Sequence, residues 1–300
     1  MRWKIIIAVV FILLLVLFTF FYFMPLNSFN LTAKSQNYNF SIVGNSDMQY
    51  YPNMRYSDSN ISYRISNCTI DKGNQMQYAF QIMQNLTNLK FYPVENDEQI
   101  SITCQEKNRI ENEMFVAGEG GPTSIILSGD FYMITKGEIL LIRNSDCPMP
   151  NIALHELLHS LGFKHSSNPN NIMYNVTSCD QTIGKDTLNL IDELYSVPSY
   201  PDLIFENVSG IMNGRFLNIN LTVINAGLND APASKIIIYA DGTSVREINL
   251  DSIKVGEGIS LNLENVLISK INFNEISLEI VSNFSEITKE NNKIKLEIKK

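Results

Sequence analysis

All three histidines of this 300-residue chain lie within HELLHSLGFKH, His155 to His165. Scattered histidines are cheap, and a cluster of this kind asks for a common task. The segment NIALHELLHSL contains no helix breaker, and Pro150 and Asn151 suit a helix start. Four residues apart on a helix, His155 and His159 project from one face, one turn above the other. Gly162 comes where the helix should stop, and its freedom to take a positive φ allows an abrupt turn that returns His165 toward the other two. Three neutral imidazoles would then hold a divalent cation, Zn²⁺ above all, and leave one position open. Glu156, next to His155, points about 100° round the helix from that ligand. It can therefore serve as general base toward a metal-activated water instead of as a ligand.

Eight residues past His165, NNIMY places Met173. H-E-x-x-H-x-x-G-x-x-H followed by a Met-turn resembles the metzincin metalloproteases, and IMY resembles the matrixin branch. DTLNLIDELY (Asp186 to Tyr195) is similar to the C-terminal helix of matrixin catalytic domains. The resemblance implies zinc-dependent hydrolysis of peptide bonds, with His155, His159 and His165 as ligands, Glu156 as the catalytic base and Met173 as an apolar floor. Astacin-like relatives carry Tyr two residues after the methionine, where this chain has Asn175, so no tyrosine ligand is expected. Matrixins often bind structural Ca²⁺, but no acidic spacing here supports such a site. No cysteine precedes Cys68, so the family's cysteine latch is not seen.

Elements must hold these residues in place. ISYRI, QISITC, SIILSG and EILLIR read as short strands, and NQMQYAFQIMQNL as a helix with Met76, Ala79, Phe80 and Met83 on its buried face. GEGGPT lacks the GK[ST] and helix of a phosphate loop and reads as a turn. The expected fold of residues 51–197 is an α+β metzincin-like domain: a mixed twisted sheet with an active-site helix and a C-terminal helix.

Pro198 and Pro201 mark a linker. Beyond it, LNINLTV, KIIIYA, EISLEIV and KIKLEI alternate, with Leu217, Ile219, Leu221 and Val223 on one face. Asp241-Gly242 is a hairpin signal. About seven strands in about a hundred residues point to an all-β immunoglobulin-like sandwich over 198–300. PDL…VINAG…YADG…EITKENN resembles CARDB domains, which implies a binding or spacing module and a cell-surface partner.

From Ile5 to Met24 the chain carries no charge, after Arg2 and Lys4. Such a run spans a bilayer core as a helix of about 20 residues. The positive flank predicts residues 1–24 as a cytoplasmic start and transmembrane anchor, with the rest outside and 25–50 as a spacer. If the segment were a cleaved signal peptide, the protein would be secreted. Nine N-x-[ST] sequons (Asn30, Asn39, Asn60, Asn67, Asn85, Asn175, Asn207, Asn220, Asn283) and four cysteines without C-x-x-C fit an oxidising compartment. Three connectivities are open, and Cys68–Cys104 with Cys147–Cys179 is favoured because each pair brackets one structural segment. A formal charge of −8 gives no reason to expect nucleic acid. A protein or peptide substrate and the membrane are the expected partners. The competing class is a cell-surface adhesin whose metal-binding domain does not cut; the presence of Glu156 counts against it.

Overall fold

A computed structural model describes residues 2–23, 28–33, 47–106, 109–111, 114–144, 146–269 and 273–298. Most of the expected spacer, Met24 and the Asn39 sequon fall outside these ranges.

The first unit contains β2 (Met54–Tyr56), β3 (Asn60–Ser66), α2 (Ile70–Leu86), β4 (Lys90–Pro93), β5 (Ile100–Cys104), the small hairpin β6 (Arg109–Glu111) and β7 (Met114–Val116), β8 (Gly118–Ser128), β9 (Phe131–Leu141), α3 (Asn151–Ser160) and α4 (Lys185–Ser196); α1 (Arg2–Phe23) and β1 (Ser28–Ala33) precede it. The sheet runs β4-β3-β5-β9 with parallel pairing, and β8 closes the far side of β9 antiparallel. Short β2 lies parallel to the start of β9. β8 pairs with no strand but β9, so its outer edge is free among the described residues.

The sequence dictates how the helices sit. Met76, Ala79, Phe80 and Met83 of α2 are buried at the 3.6-residue period, facing Ile61, Ile100 and Ile102 in the same core. Every residue of α3 is buried, so its leucines fill the core on all sides while its polar groups line the site. Arg55 anchors α4: its buried guanidinium lies 4.4 Å from the Tyr195 ring centroid and donates to the carbonyls of Leu194 and Val197 at the helix C-terminus, where a cation is favourable. The disulfides are Cys68–Cys104 and Cys147–Cys179, the favoured pairing.

GEGGPT is not a turn. It forms the first half of β8, paired with Gly137–Leu141 of β9. Turn chemistry in glycine and proline was outweighed by what lies beside the strand, described below.

The second unit comprises β10 (Leu203–Asn213), β11 (Phe216–Asn225), β12 (Ser234–Ala240), β13 (Thr243–Leu250), β14 (Gly258–Leu267), β15 (Ile276–Val281) and β16 (Lys293–Ile298), all antiparallel. Leu217, Ile219, Leu221 and Val223 point into its core as their alternation requires. The stretch read as a spacer contributes to this unit: β1 pairs with β10 on one side and β16 on the other, giving the order β13-β12-β15-β16-β1-β10-β11-β14. Leu31, 3% exposed, completes the same core. The sandwich is therefore discontinuous in sequence, and the first unit is inserted between its first and second strands.

The helix expected at the N-terminus forms as α1, with exposed apolar side chains. As a membrane span it is not supported: among the described residues no helix is long and apolar enough to cross a membrane.

Candidate metal centre

α3 ends at Ser160, and the chain turns at Gly162, whose φ is +95°. A Cβ there would also come within 2.7 Å of Met54 Sδ, so conformation and space both call for glycine. After the turn, Phe163 is buried and Lys164 N–H donates to Met48 O, while Tyr50 N–H donates to Gly162 O. Residues 48–50 thus pad the returning segment. Ser166 N–H donates to Met173 O, tying the limb that carries His165 to the Met-turn. Met173 is 2% exposed within the first unit's core, and its N–H is held by Asn171 Oδ1.

These supports bring the three imidazoles together. The Nε2 atoms of His155 and His159 are 3.0 Å apart, and that of His165 is 3.2 Å and 3.1 Å from them. His155 Nδ1–H donates to Ile172 O at 2.6 Å, and His159 Nδ1–H to Phe163 O at 2.8 Å. With their protons on Nδ1, these two rings present bare Nε2 lone pairs to each other. Burial lowers the pKa of all three, His159 to about 4 by burial and then by His155, so they stay neutral near pH 7. Facing lone pairs repel unless a cation lies between them. Zn–N bonds of about 2.0–2.1 Å in a tetrahedron place nitrogens about 3.3 Å apart, close to the observed spacing. The donor set fits a zinc ion, and among the described residues it is the one cluster of three or more such side chains able to hold a metal.

Glu156 is 5% exposed on the adjoining face of α3. Burial, and then the nearby Glu119 carboxylate, push its pKa up to about 8. Glu119 itself is paired with Arg109 at 2.8 Å. The glycines of β8 explain how this carboxyl is enclosed. A Cβ on Gly118 would lie 2.8 Å from Glu156 Cγ, and one on Gly120 would lie 2.3 Å from Glu156 O. A side chain at Gly120 would drive the strand off the helix backbone, and one at Gly118 would displace the Glu156 side chain.

Two features were missed in the sequence. Gly118 and Gly120, two apart on a strand, share a face, and that spacing was the available signal for a close helix. Tyr50 gave no signal: its hydroxyl sits 3.1 Å from His159 Nδ1, reached only through the pairing with Gly162.

Comparison with known proteins finds similarity in both units. Residues 55–196 match the matrixin family model and residues 200–295 the CARDB model. Curated relatives include the interstitial collagenases of Oryctolagus cuniculus, 28% identical over 163 residues, and Sus scrofa, 27% identical over 163 residues. Each match covers 50% of this chain and 34% of the collagenase, so the chain spans about a third of those relatives' length. Among solved structures, the CARDB domain of a Pyrococcus furiosus protein is 19% identical, covering 33% of this chain and 88% of its own, with a TM-score of 0.28. High choriolytic enzyme 1, a hatching-enzyme zinc protease from Oryzias latipes, is 15% identical, covering 55% of this chain and 99% of its own, with a TM-score of 0.31.

Proposed function

We propose that this chain, which joins a matrixin-like metalloprotease domain to a CARDB domain, is a zinc-dependent endopeptidase, held at the outer side of a membrane by the uncharged run of its N-terminal sequence. The observation that carries the reading is the convergence of three neutral imidazoles, two with Nδ1 already committed, beside a buried carboxyl. A zinc ion held by His155, His159 and His165 would supply Lewis acidity and a water of lowered pKa.

The chain's own groups do the rest. Glu156 takes a proton at its carboxylate and can return it to the departing amine. The Nδ1–H bonds to Ile172 O and Phe163 O fix the tautomer and orientation of His155 and His159. Tyr50 buttresses the His159 ring. The free edge of β8 passes beside Glu156, and an extended peptide can add to such an edge as a further strand. Protein and peptide segments that can be drawn out straight are therefore the substrate class.

Anchoring rests on the uncharged run from Ile5 to Met24 behind Arg2 and Lys4. Two formed disulfides and the sequons suit the outer compartment, with glycosylation part of the same reading. A protein recovered in the medium, beginning near Pro25, would overturn the anchor.

The deciding experiment compares Glu156→Gln and His159→Ala with the parent for zinc content and cleavage of a broad peptide library. Glu156→Gln should keep stoichiometric zinc and lose about 10²–10⁴ in rate. His159→Ala should lose both. A parent that binds zinc and cuts nothing would favour the adhesin reading.

A further inference from the structure

The two units meet at the far end of the strand that passes Glu156. Ser128, the last residue of β8, is 1% exposed, and its hydroxyl lies 2.6 Å from Gly227 O and 3.2 Å from Asn225 O, its one proton shared between two carbonyls of the sandwich. Gly129 follows with φ +54°, and a Cβ there would lie 2.7 Å from Ala226 O. From the other side Gly256, φ +72°, approaches so closely that a Cβ would lie 2.7 Å from Ile126 Cγ2 and from Leu127 O. The gripping loop is itself held: buried Asn225 accepts from Asp202 N–H and Gly227 N–H and donates to Asn229 O and Ile253 O.

β8 therefore has one end beside the catalytic carboxyl and the other clamped by the sandwich, and among the described residues no strand pairs with its outer edge. Ile125 and Leu127, 38% and 58% exposed, are apolar side chains on that clamped half. At about 3.3 Å per residue they stand roughly 17–23 Å from Gly120. Held straight, an edge of that length exceeds what residues flanking a scissile bond require.

We propose that the sandwich clamps β8 as an extended docking track, and that the enzyme prefers extended substrates carrying apolar residues about five to seven positions from the cleaved bond. The proposal rests on the reading of β8 as the substrate strand. Ser128 acts as a positioning residue: it touches no substrate and holds the strand that does. The sandwich is then part of the specificity machinery of the first unit and not merely a spacer.

The full-length protein is assayed with three peptides: a short one, one extended by about six residues that include distal Leu and Val, and the same extension with Ser and Asn in their place. For the parent, the apolar extension should lower KM about tenfold, the worth of one partly buried large aliphatic side chain, with kcat within about twofold. Ser128→Ala should remove most of that advantage while zinc content and short-peptide kinetics hold, and should speed amide exchange over Ser124–Leu127. Leu127→Asn, at an exposed site where folding is not at risk, should remove the preference for apolar over polar extension. A parent indifferent to length, or variants that keep its preference, would overturn the proposal. If the parent cleaves no peptide, the protease reading fails, and unchanged exchange in Ser128→Ala would show separately that no clamp exists.

Discussion

A Cβ on residue 120 would lie 2.3 Å from the carbonyl oxygen of Glu156, so Gly120 and Glu156 are in contact through backbone alone. No rotamer change relieves such an approach. Gly120→Ala should push β8 away from α3 and cost about 10²-fold in kcat/KM, the scale of a 1 Å misplacement. Gly118→Ala meets the mobile end of Glu156 instead, so it should lower kcat with little loss of stability. Gly121→Ala, with nothing within 4 Å, is the control and should match the parent. Equal activity for all three, measured with one peptide, would show that the strand and the helix are not in register as described.

Leu31 tests the insertion of the first unit into the sandwich. Removing a fully buried leucine side chain costs about 2–5 kcal/mol, so Leu31→Ala should lower the urea midpoint of the sandwich while zinc binding by the first unit persists. An unchanged midpoint would mean that β1 is not a strand of this sheet.

Cys147–Cys179 joins the segment before α3 to the loop beyond the Met-turn, and Asn151 Nδ2 donates to Ser178 O beside it. Replacing both cysteines by serine should destabilise the first unit by about 2–4 kcal/mol. Limited proteolysis should then cut between Asn175 and Ile183. Resistance equal to the parent's would remove the bridge from the support of the site.

Asp202 provides a pH signature in the sandwich. Burial is the main cause raising its pKa to about 6, with Glu286 and Glu290 adding to it against hydrogen bonds from Asn291 and Thr288. The folded state therefore binds this proton more tightly than the unfolded chain. Its stabilising contribution is complete below the unfolded value near 3.8 and is lost as pH rises through about 6. Asp202→Asn should remove about 1–3 kcal/mol of that pH dependence, seen as the difference between parent and variant in thermal unfolding from pH 4 to 7. A constant difference across the range would contradict the assignment.

What the sequence determined by itself was local. The i, i+4 spacing of His155 and His159, the stop at Gly162, the buried face of α2 and the alternation from Leu217 to Val223 all follow from the helical and strand periods of a single segment. Those periods are properties of the chain near each residue, so they were legible without partners. Contacts between distant segments were decided only in the tertiary structure. Phe29, Leu31 and Ala33 alternate in six residues, too few to read as a strand until β10 and β16, about 180 and 265 residues away, supply both edges. GEGGPT carries turn chemistry, and becomes a strand because β9 pairs with it and α3 leaves no room for side chains. Tyr50 reaches His159, and Ser128 the sandwich, through backbone pairings far along the chain. Strand pairing and domain contact draw their energy from hydrogen bonds and burial between segments that sequence spacing does not relate, and so they are set where the chain folds back on itself.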